Sequence, residues 1–221
     1  MTSETITRVD GSHAGVRERL LDSAADCFAE RGFAGTSVRD ITTAASCNVG
    51  AINYYFGGKY GLYVALFEER FAELTERRVG ALRVLMEQPD LTLEQVLETF
   101  CEAFLAPLRS GDRGRETMML IMRDMVEGHL PGALIANRMV RPTMGALMGA
   151  VDRARPGLTR EQLQLCCHSL ISQLVHAMQI QRLHDRTDTG KLPQVSIEKT
   201  VNHVVRFTAA GIRSYLKDPP A

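Results

Sequence analysis

The sequence predicts an all-α fold in two parts, a small N-terminal unit of three helices followed by a larger helical domain. Three observations predict it. Apolar residues recur at three- and four-residue spacings along most of the chain, without the alternation that strands require. A Ser or Thr followed three residues later by Asp or Gln opens three of these runs, at Ser37–Asp40, Thr92–Gln95 and Thr159–Gln162. The stretch Thr36 to Lys59, TSVRDITTAASCNVGAINYYFGGK, reads as two short helices joined by a tight turn, the second too short to be stable alone, with a preceding helix to support the pair.

Residues 1–15 are polar and lack periodicity, and are expected to form a mobile arm. Arg8 and His13 could touch a minor groove, or the arm could be expendable. From Val16 the pattern Leu20, Leu21, Ala24, Ala25 and Phe28 is helical and amphipathic, with Gly32 as a left-handed stop. The Ser37–Asp40 box starts a helix near Val38, whose stripe is Val38, Ile41 and Ala45. Ser46-Cys47-Asn48 interrupts this pattern. Val49 to Tyr55 resumes it with Ile52 and Phe56 as anchors, leaving Asn48, Val49, Gly50, Ala51, Asn53 and Tyr54 around the free side. Gly57-Gly58 ends this second helix before Lys59. Such a helix–turn–helix can put its second helix into a DNA major groove. Asn48 and Asn53 offer donor and acceptor together, which suits adenine, and Arg39 can donate twice to guanine. Ala51 and Val49 can meet a thymine methyl, and Gly50 allows a close backbone approach. Asn48 can equally serve as a cap, and Tyr54 and Tyr55 as packing aromatics.

These residues carry a resemblance. Thr36-Ser37, Arg39-Asp40-Ile41, Ala44-Ala45 and Asn48-Val49-Gly50-Ala51-Ile52-Asn53-Tyr54-Tyr55-Phe56, with Lys59 and Leu62-Tyr63, resemble the DNA-binding domain of the TetR/AcrR family of transcriptional regulators. Ala24 to Gly35 is similar to that family's first helix and exit turn. The likeness covers roughly residues 16 to 67 and is faint beyond. It implies an all-helical homodimer that binds double-stranded operator DNA and releases it when a small-molecule effector enters the C-terminal domain. It further implies a base contact from Arg39 and phosphate contacts from Thr36, Ser37, Tyr54 and Lys59. The chain departs from the family pattern at Ser46, where glycine is common, and at Cys47, where an aliphatic is. Ser46 must then take a left-handed conformation at a small cost. Cys47 is either a small packed hydrophobe or a redox handle beside DNA.

Composition narrows the alternatives. With 221 residues and 45% hydrophobic content the chain can bury one or two ordinary cores. No apolar run approaches the roughly 20 residues of a membrane span, and no apolar signal segment opens the chain, so a cytoplasmic protein without a membrane partner is expected. Five cysteines at unrelated spacings fit a reducing compartment. The net charge is +0, and residues 1–59 hold six cations against seven anions. Phosphate contacts must then rely on hydroxyls, backbone N–H groups and a few placed cations, and the salt dependence should be modest for a DNA binder.

The expected division is an arm at 1–15, a DNA-binding domain at 16–62 and a ligand-binding and dimerisation domain at 63–221. Tyr60 to about Glu87 forms one long helical pattern, stopped by Pro89. Thr92 opens a helix to about Leu108, Gly111 to Gly114 is a loop, and Glu116 to Gly128 and Leu134 to Val151 read as two more helices. Seven of the ten methionines fall between Met118 and Met148. Flexible thioethers repack around apolar guests, so the candidate effector pocket is lined by Met118, Met122, Met125, Met144, Met148 and Met178, with Phe100, Cys101, Phe104 and His129. A solid but plastic core is the alternative. Arg123-Asp124 is expected as a solvated pair. Two C-terminal helices, from Thr159 and from Ser196, carry apolar residues over more than one stripe. Leu163, Cys167, Leu170, Leu174, Val201, Val205 and Ile212 are the candidate dimer interface.

Cys166-Cys167-His168 and His176 cannot close a four-ligand shell on one helix, since adjacent side chains point about 100° apart. No metal or cofactor is therefore expected. No nucleophile–base pair or phosphate-binding glycine loop is present, which leaves enzymatic use of the pocket a remote alternative. The main expectation is a ligand-released repressor. The other is a regulator of the same fold controlled by a protein partner or by oxidation of Cys47 or Cys101.

Overall fold

The computed structural model describes residues 7–109, 112–186 and 195–217. Among them the chain forms ten α-helices and no strand, as the periodicity predicts. They are α1 (Thr7–Gly35), α2 (Val38–Ala44), α3 (Gly50–Phe56), α4 (Lys59–Leu85), α5 (Leu93–Arg109), α6 (Asp112–Glu127), α7 (Gly132–Ile135), α8 (Arg141–Ala154), α9 (Arg160–Arg186) and α10 (Ile197–Lys217). All three predicted capping boxes form. The Ser37 N–H donates to Asp40 Oδ2 at 2.8 Å while Ser37 Oγ accepts from the Asp40 N–H at 3.1 Å. Thr92 with Gln95 and Thr159 with Gln162 exchange the same two bonds.

Three boundaries differ from expectation. α1 starts at Thr7 rather than near Val16, because polar residues without periodicity still extend a helix once its neighbours have nucleated it. The rest of the expected arm, and the side chains of Arg8 and His13, lie outside the described residues. α6 begins at Asp112, inside the expected loop. The expected single helix from Leu134 to Val151 is divided into α7, a π-helical stretch at Ala136–Val140 and α8. Pro142 is the physical cause, since it has no N–H for the carbonyl of Arg138 four residues earlier. That carbonyl instead accepts a 2.9 Å hydrogen bond from Thr75 Oγ1.

The chain separates into two compact units, one drawn from Met1–Ala72 and Ser110–Ile135, the other from Glu73–Arg109 and Ala136–Ala221. The division falls within α4, past residue 62, and α6 and α7 group with the N-terminal helices. The first unit centres on Leu20, Leu21, Phe28, Ile41, Ile52, Leu62, Tyr63, Leu66 and Phe67, all essentially inaccessible. α6 packs on α1 in this unit. Arg123 donates to the carbonyls of Phe28 and Ala29, just before a kink at Gly32, where φ 74 and ψ 175 define a conformation essentially reserved for glycine. Asp124 is buried and accepts from Tyr63 Oη at 3.0 Å and from the Leu130 N–H at 3.2 Å. Burial first, and then this bond, push the Tyr63 phenol well above its ordinary range. Arg123 and Asp124 therefore hold two different groups rather than pairing on a solvated face.

In the second unit α5, α8, α9 and α10 pack on one another and bury Leu97, Phe100, Cys101, Leu147, Val151, Leu170, Leu174, Val204 and Ile212. No described helix is long and apolar enough to cross a membrane.

Candidate nucleic-acid interface

The geometry of the α2–α3 pair is set by its ends. α2 stops at Ala45, and Ser46 turns the chain with φ 52, among the described residues the one non-glycine in the left-handed region. Asn48 Oδ1 accepts the Gly50 N–H at 2.9 Å, so this side chain does cap the start of α3. Gly57 closes α3 in the left-handed conformation, its N–H returning to the carbonyl of Asn53. Only Ile52 of α3 is fully buried, which fixes which face points out. Asn48, Val49, Gly50 and Asn53 are exposed, and Tyr54 is 76% exposed with its ring edge-on to Tyr55. Ala51 and Tyr55 are half-buried. On α2, Ser37 and Arg39 are exposed.

Two expected phosphate contacts are otherwise engaged. Thr36 is 1% exposed and its hydroxyl shares its proton between the carbonyls of Gly32 (2.8 Å) and Cys27 (2.9 Å), so the side chain fastens the kinked end of α1 and is turned away from solvent. Lys59 donates to the Thr36 carbonyl at 2.7 Å and lies 4.3 Å from the Phe33 ring centroid. Its charge is thus tethered near the exit of α1. The sequence reading missed three features. Arg19 donates to the carbonyl of Ala45 and braces the α2–α3 turn. Thr43 is exposed at that turn. Gly61 lets α4 start against α3: a methyl group there would lie 1.8 Å from the carbonyl oxygen of Phe56. A glycine two residues past a helix start was the available signal for the last of these.

The expected effector residues are divided between the two units. Met118, Met122, Met125 and His129 belong to the first unit, and Phe100, Cys101, Phe104, Met144, Met148 and Met178 to the second. Met125 is 65% exposed, while Met118, Phe100, Cys101, Phe104 and Met178 are buried. His129 packs against Phe33 with ring centroids 4.8 Å apart, and its Nε2 lies 3.3 Å from Glu127. A cleft of about 570 Å³ in the second unit is lined by α5, α9 and α10, including Leu105, Ala177, Ile180, Ile197 and His203 and none of the ten expected residues. Burial pushes the Cys101 thiol up to about 12, so it stays protonated at neutral pH and is a poor redox sensor.

The expected dimer residues are covered within a single chain: Leu163, Cys167, Leu170, Leu174, Val201, Val205 and Ile212 are all under a tenth exposed. They offer almost no surface to a second copy. Among the described residues, the large apolar side chains exposed on the same helices are Leu165, Ile180, Phe207 and Tyr215, with Phe207 at 63%. A groove between α9 and α10 is lined by Leu165, Ser169, Phe207, Gly211 and Tyr215.

Residues 98–211 match the model of tetracyclin repressor-like C-terminal domains, and residues 20–66 match that of bacterial regulatory proteins of the tetR family. The first match alone covers more than half the chain. The chain belongs to the TetR family. Among curated relatives it is 37% identical over 82 residues to the probable HTH-type transcriptional regulator YttP of Bacillus subtilis, covering 37% of this chain and 39% of that protein. It is also 37% identical over 79 residues to the HTH-type transcriptional repressor AcnR of Corynebacterium glutamicum, covering 34% and 42%. The matched stretch thus spans about two fifths of these relatives' lengths. Among solved structures, the transcriptional regulator FadR of Bacillus subtilis in complex with stearoyl-CoA superposes with TM-score 0.65 at 16% identity, covering 88% of this chain and 98% of that one. This last likeness concerns the fold.

Proposed function

We propose that this TetR-family chain is a transcriptional repressor that binds a near-palindromic operator as a homodimer and leaves it when a small, largely apolar effector binds. The observation that carries the reading is the outer face of α3. A seven-residue helix locked at both ends presents Asn48, Asn53 and Tyr54 to solvent beside Arg39, a set able to hydrogen-bond base edges and phosphates. Repression by the relative AcnR supports the sign of the effect. The exposed Leu165, Phe207 and Tyr215 support pairing of α9 and α10 with a second copy, which would supply the two-fold axis that a palindrome mirrors. The stearoyl-CoA bound by FadR supports an effector with a long apolar part.

In this reading the effector favours a dimer geometry whose two α3 helices no longer match the operator's half-site spacing. The test is a footprint of the purified protein on genomic fragments that it enriches, with and without candidate compounds. Protection of a two-fold symmetric site that a compound abolishes is expected. Protection without symmetry, or indifferent to every compound of a broad apolar library, contradicts the proposal.

A further inference from the structure

Arg78, on the distal half of α4, is the least expected side chain of the second unit. It is 4% exposed, and its guanidinium carbon sits 3.9 Å from the centroid of the Phe104 ring. Its Nε is buried without a hydrogen-bond partner, and among the described residues the group makes no ion pair. A charge taken out of water is normally paired, and a guanidinium carries five donors arranged to meet a planar oxyanion. The aromatic face does not satisfy the Nε–H, which is fully buried and unbonded. Burial, followed by the neighbouring charge of Arg77, lowers its pKa only to about 10, so it remains a cation at neutral pH.

A second orphan lies at the same level. Thr75 bonds to the Arg138 carbonyl and the Gln88 carbonyl accepts from Arg153, so α4 and the start and end of the α8 segment run in the same direction, offset by roughly 64 residues. That register sets Thr143 level with Arg78. Thr143 is buried and its hydroxyl also has no partner. The π-helical stretch directly before α8 borders this level, and such stretches recur at functional sites. Two buried polar groups without partners, the first against Phe104, whose ring lies 5.8 Å from that of Phe100, suit a molecule with one charged end.

We propose that Arg78 receives the anionic head of the effector, an oxyanion carried on an apolar body, with the Thr143 hydroxyl as its second contact. This deepens the effector reading above and rests on it, since it names the chemical class of that ligand. Phe104 then orients the guanidinium from behind, and the Arg78 fork bonds the oxyanion in front.

The experiment measures calorimetric binding of matched alkyl series, carboxylates, phosphates and alcohols of six to sixteen carbons, to the full chain. The carboxylate or phosphate of the best-fitting length should bind at least tenfold tighter than the alcohol of that length. A preference for carboxylate identifies an acid as the natural head, and a preference for phosphate a phosphorylated one. Arg78→Met should reduce the preference to within twofold, and Arg78→Lys should keep the preference with weaker binding. Equal binding of charged and neutral heads by the unaltered chain, or no binding by any series, overturns the proposal without recourse to a variant. An unchanged preference in Arg78→Met does so as well. Arg78-dependent binding that leaves DNA affinity unaltered would instead contradict the release mechanism and leave this assignment standing.

Discussion

The outward faces of α3 and of the α9–α10 pair are built from opposite chemistry. α3 shows amides, a phenol and a glycine on a backbone pinned by the Asn48 cap, the Ser46 turn and the Gly57 stop. α9 and α10 show Leu165, Phe207 and Tyr215 around a shallow groove, on helices long enough to need no such pinning. The difference teaches what each face can meet. A polar face whose donors and acceptors are already hydrated can exchange water for the edges of DNA bases. A contiguous apolar face gains only by being covered. In the first case the short helix must be held rigid by its neighbours, and in the second the shape of the groove matters more than any single bond.

The contrast can be broken from either side. The largest effect is expected at Phe207. Phe207→Glu places a carboxylate in the face assigned to a second copy, and should raise the dimer dissociation constant by two orders of magnitude or more, about 3 kcal/mol. Sedimentation of the variant as a monomer, still helical, is the expected result. An unchanged oligomeric state would free that face for another partner. Next is Gly61→Ala, whose methyl would collide with the Phe56 carbonyl. A loss of about 3 kcal/mol on denaturant unfolding is expected, at the top of the usual range for overpacking. Loss of DNA binding should accompany it while the oligomeric state persists.

Smaller effects sharpen the account of α2. Ser37→Ala removes the cap and should cost about 1 kcal/mol, read by thermal unfolding. The same box holds the Asp40 carboxylate below its ordinary value of 3.8, chiefly through the Ser37 side-chain bond and then its backbone bond. A carboxylate depressed in the folded state contributes stability above about pH 4, and that contribution is lost as pH falls through the depressed value. Asp40→Asn should therefore flatten the acid limb of the stability–pH curve and leave stability near pH 7 slightly reduced. A parallel acid limb in the variant would show that other carboxylates govern it.

What was legible in the sequence follows the same division. Capping boxes, the Ser46 turn and the exposed set of α3, apart from the half-buried Ala51, depend on neighbours within four residues, and these local patterns formed as read. Thr36 misled because a hydroxyl next to a helix start has the same signature whether it turns outward or, as here, back onto the Cys27 and Gly32 carbonyls. In α9 and α10 the strongest apolar periodicity marked the residues most deeply buried, such as Leu170 and Ile212. The exposed Phe207 belongs to the same apolar run but lies off the stripe that the fold buries. The methionine-rich stretch is divided between the two compact units at Ile135–Ala136, a boundary that proximity along the chain does not mark. Arg78 was invisible for a simpler reason: its neighbours in sequence are charged, and only the fold withdraws it from water.

The central claim is that the outer face of α3 reads DNA sequence. It is tested most directly by selecting duplexes with the full chain from a random library and comparing affinities of the unaltered protein and Asn53→Ala for the selected site and for random duplex. The account predicts a ten- to hundredfold loss at the selected site, roughly 1–3 kcal/mol, with binding to random duplex unchanged. An equal loss on both duplexes, or none on either, would contradict it.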